Sequence, residues 1–191
     1  MDGLCVRIME LRKRYKYIGK FKDNLALVGL NGRYGLVDQE GKEIVPTKYN
    51  MVYDFIGNFA LVVLDGKFGM INREGKETIA PIYSCIEEVG DIPDCDVVKV
   101  RLNGKWGIVS KADGKVILEI MYDNIFSFFK EDNFAIIQLN ERYGLIERKF
   151  RELVPPIYGI TEIPEVKRQI VKVTTENIYF FNEEEMNTTT E

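Results

Sequence analysis

Apolar and polar positions alternate in short blocks along this chain of 191 residues, and the blocks recur. Each recurrence contains a run of β-favouring residues that is soon followed by a turn dipeptide. The runs are Ala26-Leu27-Val28, Ala60-Leu61-Val62, Val98-Lys99-Val100 and Ala135-Ile136-Ile137. Because short apolar runs bounded by turn residues are typical of strands, the pattern predicts an all-β fold.

A pair made of an aromatic residue and a glycine sets the period of the recurrence. The pair occurs as Tyr34-Gly35, Phe68-Gly69, Trp106-Gly107 and Tyr143-Gly144, at intervals of 34, 38 and 37 residues. One tyrosine follows each glycine after 14 or 15 residues, namely Tyr49, Tyr83, Tyr122 and Tyr158. A fixed period in this range indicates a tandem-repeat architecture. We interpret these glycines and aromatic residues as packing positions without a chemical role.

Turn residues predict how each repeat folds. The dipeptides Asn31-Gly32, Asp65-Gly66 and Asn103-Gly104 favour type I′ hairpin turns. A second turn in each repeat contains a glycine, which is Gly41, Gly75 or Gly114. Each repeat is therefore predicted to be a three-stranded meander, for example over residues 25–30, 33–38 and 42–45.

Proline and the mid-strand glycine lead to two further expectations. Proline cannot donate to a central ladder, so we expect the third strand to end at Pro46, Pro81 or Pro155. A glycine inside a strand weakens it unless something packs closely over the bare backbone. We expect a neighbouring aromatic ring, such as that of the downstream tyrosine, to cover this glycine.

The repeats predict one continuous array. About four and a half three-stranded antiparallel meanders are expected to stack in an open, curved or superhelical form, with a closed propeller-like ring as the alternative. The array would form a single domain over residues 1–182, with full units at 15–48, 49–82, 83–121 and 122–157. Degenerate outer copies at 1–14 and 158–182 would cap its ends, and residues 183–191 would form an acidic, threonine-rich tail.

Composition narrows the function classes. The net charge is −4 and the chain contains no histidine, so the chain lacks both a field that attracts phosphate and the commonest general base. The three cysteines form no Cys-x-x-Cys pair, and no nucleotide-binding glycine motif is present. We therefore expect no enzyme activity, no cofactor and no metal, and we do not expect nucleic acid to be a partner.

The chain also lacks the sequence signals of membrane insertion and secretion. No apolar run is long enough to cross a bilayer, and the first residues do not form a signal peptide. Three cysteines are an odd and sparse set, which is typical of a reduced compartment. We expect a cytoplasmic protein.

The best-formed motif is Gly104-Lys105-Trp106-Gly107-Ile108-Val109, and residues 66–71, 75–76 and 81–83 match it nearly as well. It resembles the approximate signature G-K-W-G-L-I-D-x-x-G-K-x-V-I-P-x-x-Y-D of the bacterial WG-repeat (KWG-repeat) proteins. The resemblance covers about residues 15–182, although three of the four motif aromatics are not tryptophan. It implies an all-β repeat scaffold and implies no reaction.

Two groups of residues depart from the repeat and are candidate partner-binding sites. The first is a basic segment, interleaved with aromatic residues, that contains Arg12, Lys13 and Arg14. The second joins surplus phenylalanines to a basic turn and contains Phe128, Phe129, Arg148, Lys149, Phe150 and Arg151. Because Phe150 replaces a turn glycine beside arginines, it has the composition of an interface anchor. The alternatives are that the Phe150 ring folds back over its own sheet and that the basic segment is a solvated surface.

These observations favour a binding protein. We hypothesise a non-enzymatic protein–protein interaction scaffold that binds another protein through its curved face or its connectors. The alternative is a ligand-binding module that grips a carbohydrate or a cell-wall fragment between the aromatic residues of neighbouring repeats.

Overall fold

A computed structural model describes residues 3–90, 95–126, 128, 134–160, 170–173 and 177–181. In this part of the chain one helix, α1 (Gly3–Arg14), precedes the strands β1 to β18. The predicted all-β repeat fold is confirmed. The chain divides into two compact units, residues 1–86 with 111–114 and residues 87–110 with 115–191. The single domain over residues 1–182 stays a prediction.

The strands form four sheets, one for each full repeat. The first sheet contains β1 (Tyr17–Ile18), β2 (Leu25–Leu30), β3 (Arg33–Asp38) and β4 (Glu43–Tyr49). The second contains β5 (Met51–Val52), β6 (Phe59–Leu64), β7 (Lys67–Asn72) and β8 (Glu77–Tyr83). The third contains β9 (Cys85–Glu88), β10 (Val97–Leu102), β11 (Lys105–Ser110) and β12 (Val116–Tyr122).

The fourth sheet is larger because the end of the chain adds to it. Its meander contains β13 (Asn124–Ile125), β14 (Phe134–Leu139), β15 (Arg142–Glu147) and β16 (Glu152–Ile160). Two further strands, β17 (Ile170–Val173) and β18 (Asn177–Phe181), pair with each other in antiparallel register. β18 also pairs in parallel with β16, through Gly159–Asn177 and Ile160–Ile178.

The three-stranded antiparallel meander is present in every sheet. β2 and β3 cover residues 25–30 and 33–38, as the pattern predicts. Asn31 and Gly32 between them have φ of 52° and 74°, as a type I′ turn requires. Asn140 and Glu141 have the same positive φ in the fourth sheet. The connector before each meander adds a short fourth strand, which the sequence pattern does not reveal.

The third strand of each meander does not end at proline, contrary to the expectation. In the first sheet β4 runs through Pro46 to Tyr49. Tyr34 pairs with Tyr49 but Leu36 pairs with Val45, so residues 46–48 bulge opposite one residue of β3. The same register shift occurs in the other three sheets. Proline is tolerated because the bulge removes its position from the ladder.

The bulge explains the mid-strand glycine, and the expectation of a covering ring was wrong. A Cβ at Gly69 would lie 2.6 Å from the carbonyl oxygen of Ile79 and 2.7 Å from the nitrogen of Pro81. The nearest atoms therefore belong to the backbone of the adjacent third strand and not to an aromatic ring. The third strand approaches equally closely at Gly35, Gly107 and Gly144.

Residues 3–14 form α1 and not the tail of a β unit. Leu11 and Tyr15 are buried against the first sheet, where they contact a cluster of Ala26, Val28 and Val37. Arg7 and Arg14 tie the helix to the second turn of that sheet by donating to the carbonyl oxygens of Gln39, at 2.6 Å, and Gly41, at 3.1 Å. The helix thus covers one face of the first sheet. In the second sheet the equivalent face packs against the first sheet.

The core of each unit lies between consecutive sheets. In the first unit it contains Leu36, Val45, Tyr49, Ala60, Val62 and Ile71. In the second unit the corresponding positions are Ile108, Leu118, Tyr122, Ala135, Ile137 and Ile146, which belong to a larger cluster. One set of repeat positions therefore supplies the core of both units.

Candidate functional site

One cross-strand row joins the motif aromatic to the downstream tyrosine in every sheet. The directly paired residues are Tyr34–Tyr49, Phe68–Tyr83, Trp106–Tyr122 and Tyr143–Tyr158. The motif aromatics are half-buried, whereas Tyr49, Tyr83 and Tyr122 are buried. This placement agrees with the interpretation of these residues as packing positions.

The tyrosine hydroxyl fastens one repeat to the next within each unit. It donates to a glutamate that opens the third strand of the following meander, in the pairs Tyr49–Glu77 at 2.5 Å and Tyr122–Glu152 at 3.3 Å. Tyr15, directly after α1, donates in the same way to Glu43 at 3.1 Å. The ring thus lies in the core while the hydroxyl reaches a carboxylate at its edge.

The environment raises the pKa of the tyrosines in these contacts and lowers the pKa of Glu77. Burial, together with the charge and hydrogen bond of Glu152, raises the pKa of Tyr122 to about 12. Burial and Glu77 raise the pKa of Tyr49 more strongly. Burial alone would raise the pKa of Glu77, but hydrogen bonds from Lys48 and Tyr49 outweigh burial and lower it. At neutral pH the Tyr49–Glu77 contact therefore joins a neutral phenol to a carboxylate.

The residue after the tyrosine makes a second contact between repeats. Its side chain accepts the backbone N–H that opens the first turn of the next meander, in Asn50–Asp65 and Asp123–Asn140, both at 2.6 Å. The basic residue before the motif aromatic holds that side chain, in Arg33–Asn50 at 3.0 Å and Lys105–Asp123 at 2.5 Å. Three repeat positions therefore serve packing within the repeat or the junction to the next repeat. They are the basic residue before the motif aromatic, the motif aromatic itself and the downstream tyrosine.

One buried charge distinguishes the third sheet, and the sequence reasoning missed it. Lys99 is 7% exposed. Its Nζ lies 3.2 Å from Glu87 Oε2, donates to the carbonyl oxygen of Ile125 at 3.3 Å, and is 5.5 Å from the Trp106 ring centre. These partners offset the cost of burying the ammonium group. The sequence contains one signal of this buried charge, which is a lysine inside an otherwise apolar strand.

The basic segment forms the last turn of α1. Arg12, Lys13 and Arg14 are exposed there, where cations interact favourably with the negative end of the helix dipole. Arg14 also donates to Tyr15 Oη at 3.1 Å, and its Cζ lies 5.1 Å from the Tyr15 ring centre. Arg14 therefore contributes to helix docking, while Arg12 and Lys13 extend the basic surface.

The phenylalanine group is placed differently from the hypothesis of an exposed anchor. Phe128 is 1% exposed within the core of the second unit, so its side chain is not accessible to a partner. Phe150 packs edge-on against Phe128, with ring centres 5.8 Å apart. Its φ of 60° puts Phe150 in the left-handed turn conformation of the glycine it replaces. Phe150 is half-buried, so both the partner anchor and the cap over its own sheet stay predictions, while Phe129 lies outside the described residues.

The charged residues around Phe150 remain at the surface. Lys149 and Arg151 are exposed, and Arg148 is half-buried. Arg151 Nε pairs with Glu147 Oε1 at 2.8 Å. The basic turn therefore presents exposed cations around a half-buried ring.

Sequence reasoning missed a set of exposed apolar side chains on the third strands of three meanders, which we call the outer strands. In the fourth sheet the outer strand β16 also pairs, at its last two residues, with β18. The residue directly before the downstream tyrosine is Ile82, Met121 or Ile157, and these are 48%, 45% and 61% exposed. They lie in the bulges of β8, β12 and β16. The expectation that strands end at proline assigned these positions to connectors, where an apolar residue carries little information.

The described residues contain no group of three His, Cys, Asp or Glu side chains that could hold a metal ion. In the same part of the chain no helix is both long and apolar enough to cross a membrane.

Solved structures resemble this chain in fold alone. Hsv2p of Kluyveromyces lactis is 9% identical, with a TM-score of 0.36 over 72% of this chain and 50% of that one. A eukaryotic initiation factor is 9% identical, with a TM-score of 0.42 over 90% of this chain and 55% of that one. Regucalcin, a calcium-binding protein of Agrobacterium tumefaciens, is 11% identical, with a TM-score of 0.32 over 72% and 58%. The chain thus spans only about half the length of these structures. None of the curated proteins compared with the chain matches it.

Four tandem sheets with shared junction residues define an all-β repeat protein. The family of WG-containing repeats matches residues 11–34, 34–68, 68–106 and 106–143, so that consecutive matches meet at a motif aromatic. The chain belongs to this family, and the resemblance carried by the motif residues is confirmed.

Proposed function

We propose that this chain is a non-enzymatic scaffold that binds a protein partner through the outer strands of its sheets. The observation that carries the proposal is the repeated exposure of Ile82, Met121 and Ile157 in the outer bulges. Exposed apolar residues that recur at one structural position are typical of interaction surfaces, whereas scattered ones need no explanation.

The fold itself does not require an apolar residue at this position. In the first sheet the equivalent residue is Lys48, which pairs with Glu77 at 2.7 Å and lies over the Tyr49 ring. A polar side chain is thus compatible with the bulge. The fold therefore does not explain the apolar side chains at this position in the other sheets. Binding of a partner would explain them.

The outer strand of the third sheet strengthens the argument. β12 is the edge of its sheet and also exposes Val116 and Ile117, at 40% and 42%. The edge strands β4 and β8 contain proline in the bulge, a residue that protects sheet edges against pairing, but β12 contains none. An apolar edge without proline is suited to receive an extended segment of another protein.

The carbohydrate-binding alternative has less support. It requires accessible aromatic rings between repeats, but Tyr49 and Tyr122 are 1% and 4% exposed and their hydroxyls are bound to glutamates. We also propose a cytoplasmic location in a bacterial cell, which is supported by the bacterial WG-repeat resemblance and by the sparse, odd set of cysteines.

The test is a variant in which Ile82, Met121 and Ile157 are all changed to lysine, the residue that the first sheet carries at this position. The control is Ile56→Lys, because Ile56 is 83% exposed outside the outer strands. Proteins captured from the native cell would be identified by mass spectrometry, and the affinity of the main partner would be measured with purified proteins. Loss of buried anchors typically weakens binding by tenfold or more, so the triple variant should lose the partner while the control retains it. Unchanged capture by a folded triple variant would exclude the outer strands as the binding surface.

A further inference from the structure

A charged cleft lies between the first and second sheets, beside their second turns. It has a volume of about 380 Å³ and is lined by Asp23, Asn24, Leu25, Asp38, Lys42, Ile44, Arg73 and Glu74. Leu25 and Ile44 are half-buried and give the cleft an apolar wall. The volume falls in the range of small-molecule sites, and the lining contains both cations and carboxylates.

Arg73 is held in a fixed orientation at the cleft. Its Cζ lies 4.9 Å from the ring centre of Phe55, and its Nε donates to the carbonyl oxygen of Gly57 at 3.1 Å. Its nearest carboxylate partner is Asp23, with 3.6 Å between Nη2 and Oδ2. A formed charge-assisted hydrogen bond is shorter, at about 2.7–2.9 Å. Arg73 and Asp23 thus form a long ion pair and not a charge-assisted hydrogen bond.

The carboxylates are also positioned by backbone contacts. Asp23 lies in a tight turn that is closed by hydrogen bonds between the backbones of Lys22 and Leu25, at 2.8 and 3.0 Å. Asp38 accepts the backbone N–H of Lys42 at 2.8 Å. A site whose charged groups are oriented before binding loses less entropy when a ligand arrives.

We propose that this cleft binds a small zwitterion of amino-acid or dipeptide size. Arg73 and Lys42 would receive the carboxylate of the ligand, and Asp23 and Glu74 would receive its ammonium group. Leu25 and Ile44 would contact its aliphatic part. None of the described residues that line the cleft is aromatic, so its chemistry does not fit a sugar, which stacks on rings. This inference is independent of partner binding by the outer strands.

The test titrates the purified protein with glycyl-leucine and follows backbone amide shifts by NMR. The expected dissociation constant is about 1 mM, the strength that so small a ligand reaches in an open site. N-acetyl-glycyl-leucine lacks the ammonium group and glycyl-leucinamide lacks the carboxylate. Each should bind at least about tenfold more weakly, because each leaves one charged side of the cleft without a partner.

Variants locate the site independently of the ligand series. Arg73→Gln and Asp23→Asn should each weaken glycyl-leucine by about tenfold. Arg33→Gln is the matched control, because Arg33 pairs with Asp65 at 2.9 Å and does not line the cleft. The proposal would be overturned if glycyl-leucine did not bind the wild-type protein at 10 times the expected dissociation constant. It would equally be overturned if the two capped dipeptides bound as strongly as glycyl-leucine. It would also be overturned if a folded Arg73→Gln variant kept full affinity.

Discussion

Replacing Gly69 by alanine tests the close approach of the third strand most directly. The added Cβ would lie 2.6 Å from the Ile79 carbonyl oxygen, and 2.7 and 2.9 Å from the nitrogen and Cα of Pro81. Favourable carbon contacts begin near about 3.5 Å, so β8 would have to retreat by most of an ångström. All three atoms are backbone, and no side chain can rotate away to make room.

The size of the effect follows from what β8 holds in place. Its retreat would disturb the pairs Phe68–Tyr83 and Met70–Ile79 on either side of the bulge. Overpacking typically costs about 1–3 kcal/mol, and a backbone obstacle places this substitution at the upper end. We expect a loss of about 3 kcal/mol, which corresponds to a fall of about 6–12 °C in melting temperature for a chain of this size.

The assay is urea denaturation of Gly69→Ala beside a control in the same sheet. Gly66→Ala places a Cβ where no atom lies within 4 Å, at a residue with φ of 76°. It should therefore lose only the cost of a left-handed alanine, about 1 kcal/mol. If Gly69→Ala were no less stable than Gly66→Ala, the close-approach explanation of the motif glycine would be wrong.

Further predictions concern the junction contacts and the Phe150 turn. Tyr49→Phe should lower the free energy of unfolding by about 2 kcal/mol and Tyr122→Phe by about 1 kcal/mol, because the first hydrogen bond to a carboxylate is much shorter; equal losses would contradict this order. Because folding raises the pKa of Tyr122 from 10.0 to about 12, its contribution is complete below pH 10 and is lost as pH rises towards 12. Tyr122→Phe should flatten the alkaline decline of stability, and an unchanged decline would exclude this residue as its source. Folding lowers the pKa of Glu77 below 4.5, so its contribution is present above that pH and is lost as pH falls through the lowered value; Glu77→Gln should reduce the acid sensitivity of unfolding measured by circular dichroism. Phe150→Ala should destabilise by about 2 kcal/mol through loss of the Phe128 contact, and Phe150→Gly by less, because glycine removes the strain at φ of 60°. If the melting temperatures of both Phe150 variants were unchanged, Phe150 would remain a candidate partner anchor.

Local turn chemistry was readable from the sequence, because it depends on neighbouring residues only. Asn31-Gly32 requires no more than its own backbone preferences to set the turn between β2 and β3. The bulge opposite Gly35 was not readable, since it depends on how two strands distant along the chain approach each other. Proline was interpreted as the end of a strand, and glycine as a strand position that a ring must cover. The two residues together marked a bulge instead.

The helix was missed although its signal is present. Leu4, Ile8, Leu11 and Tyr15 are spaced by four, three and four residues, which is the periodicity of an amphipathic helix. Tyr15 precedes Ala26 by eleven residues, as Tyr49 precedes Ala60, and this alignment with the downstream tyrosines led instead to the expectation of a β unit. The tyrosine alignment was informative, because Tyr15 binds Glu43 as Tyr49 binds Glu77. The element before the tyrosine differs, however, because a helix precedes Tyr15 and a strand leads into Tyr49.

The candidate partner site depended on exposure, which the sequence does not give. Phe128 and Ile157 are both apolar residues outside the predicted strands, but one is 1% exposed and the other 61%. Their difference arises from packing between the third and fourth sheets of the second unit and from the bulge of β16. The packing between sheets leaves no local mark in the sequence.

The junction contacts have a consequence for how the length of such a chain can change. Each donor and acceptor pair is split between neighbouring copies, with Tyr49 and Glu77 separated by 28 residues and Asn50 and Asp65 by 15. Duplicating or deleting a stretch that equals one whole copy keeps the order of these positions along the chain, wherever in the copy the stretch begins. A single in-phase recombination in the gene can therefore add or remove 34–38 residues together with their binding positions, so that copy number can evolve without redesign of the sequence at the new joins.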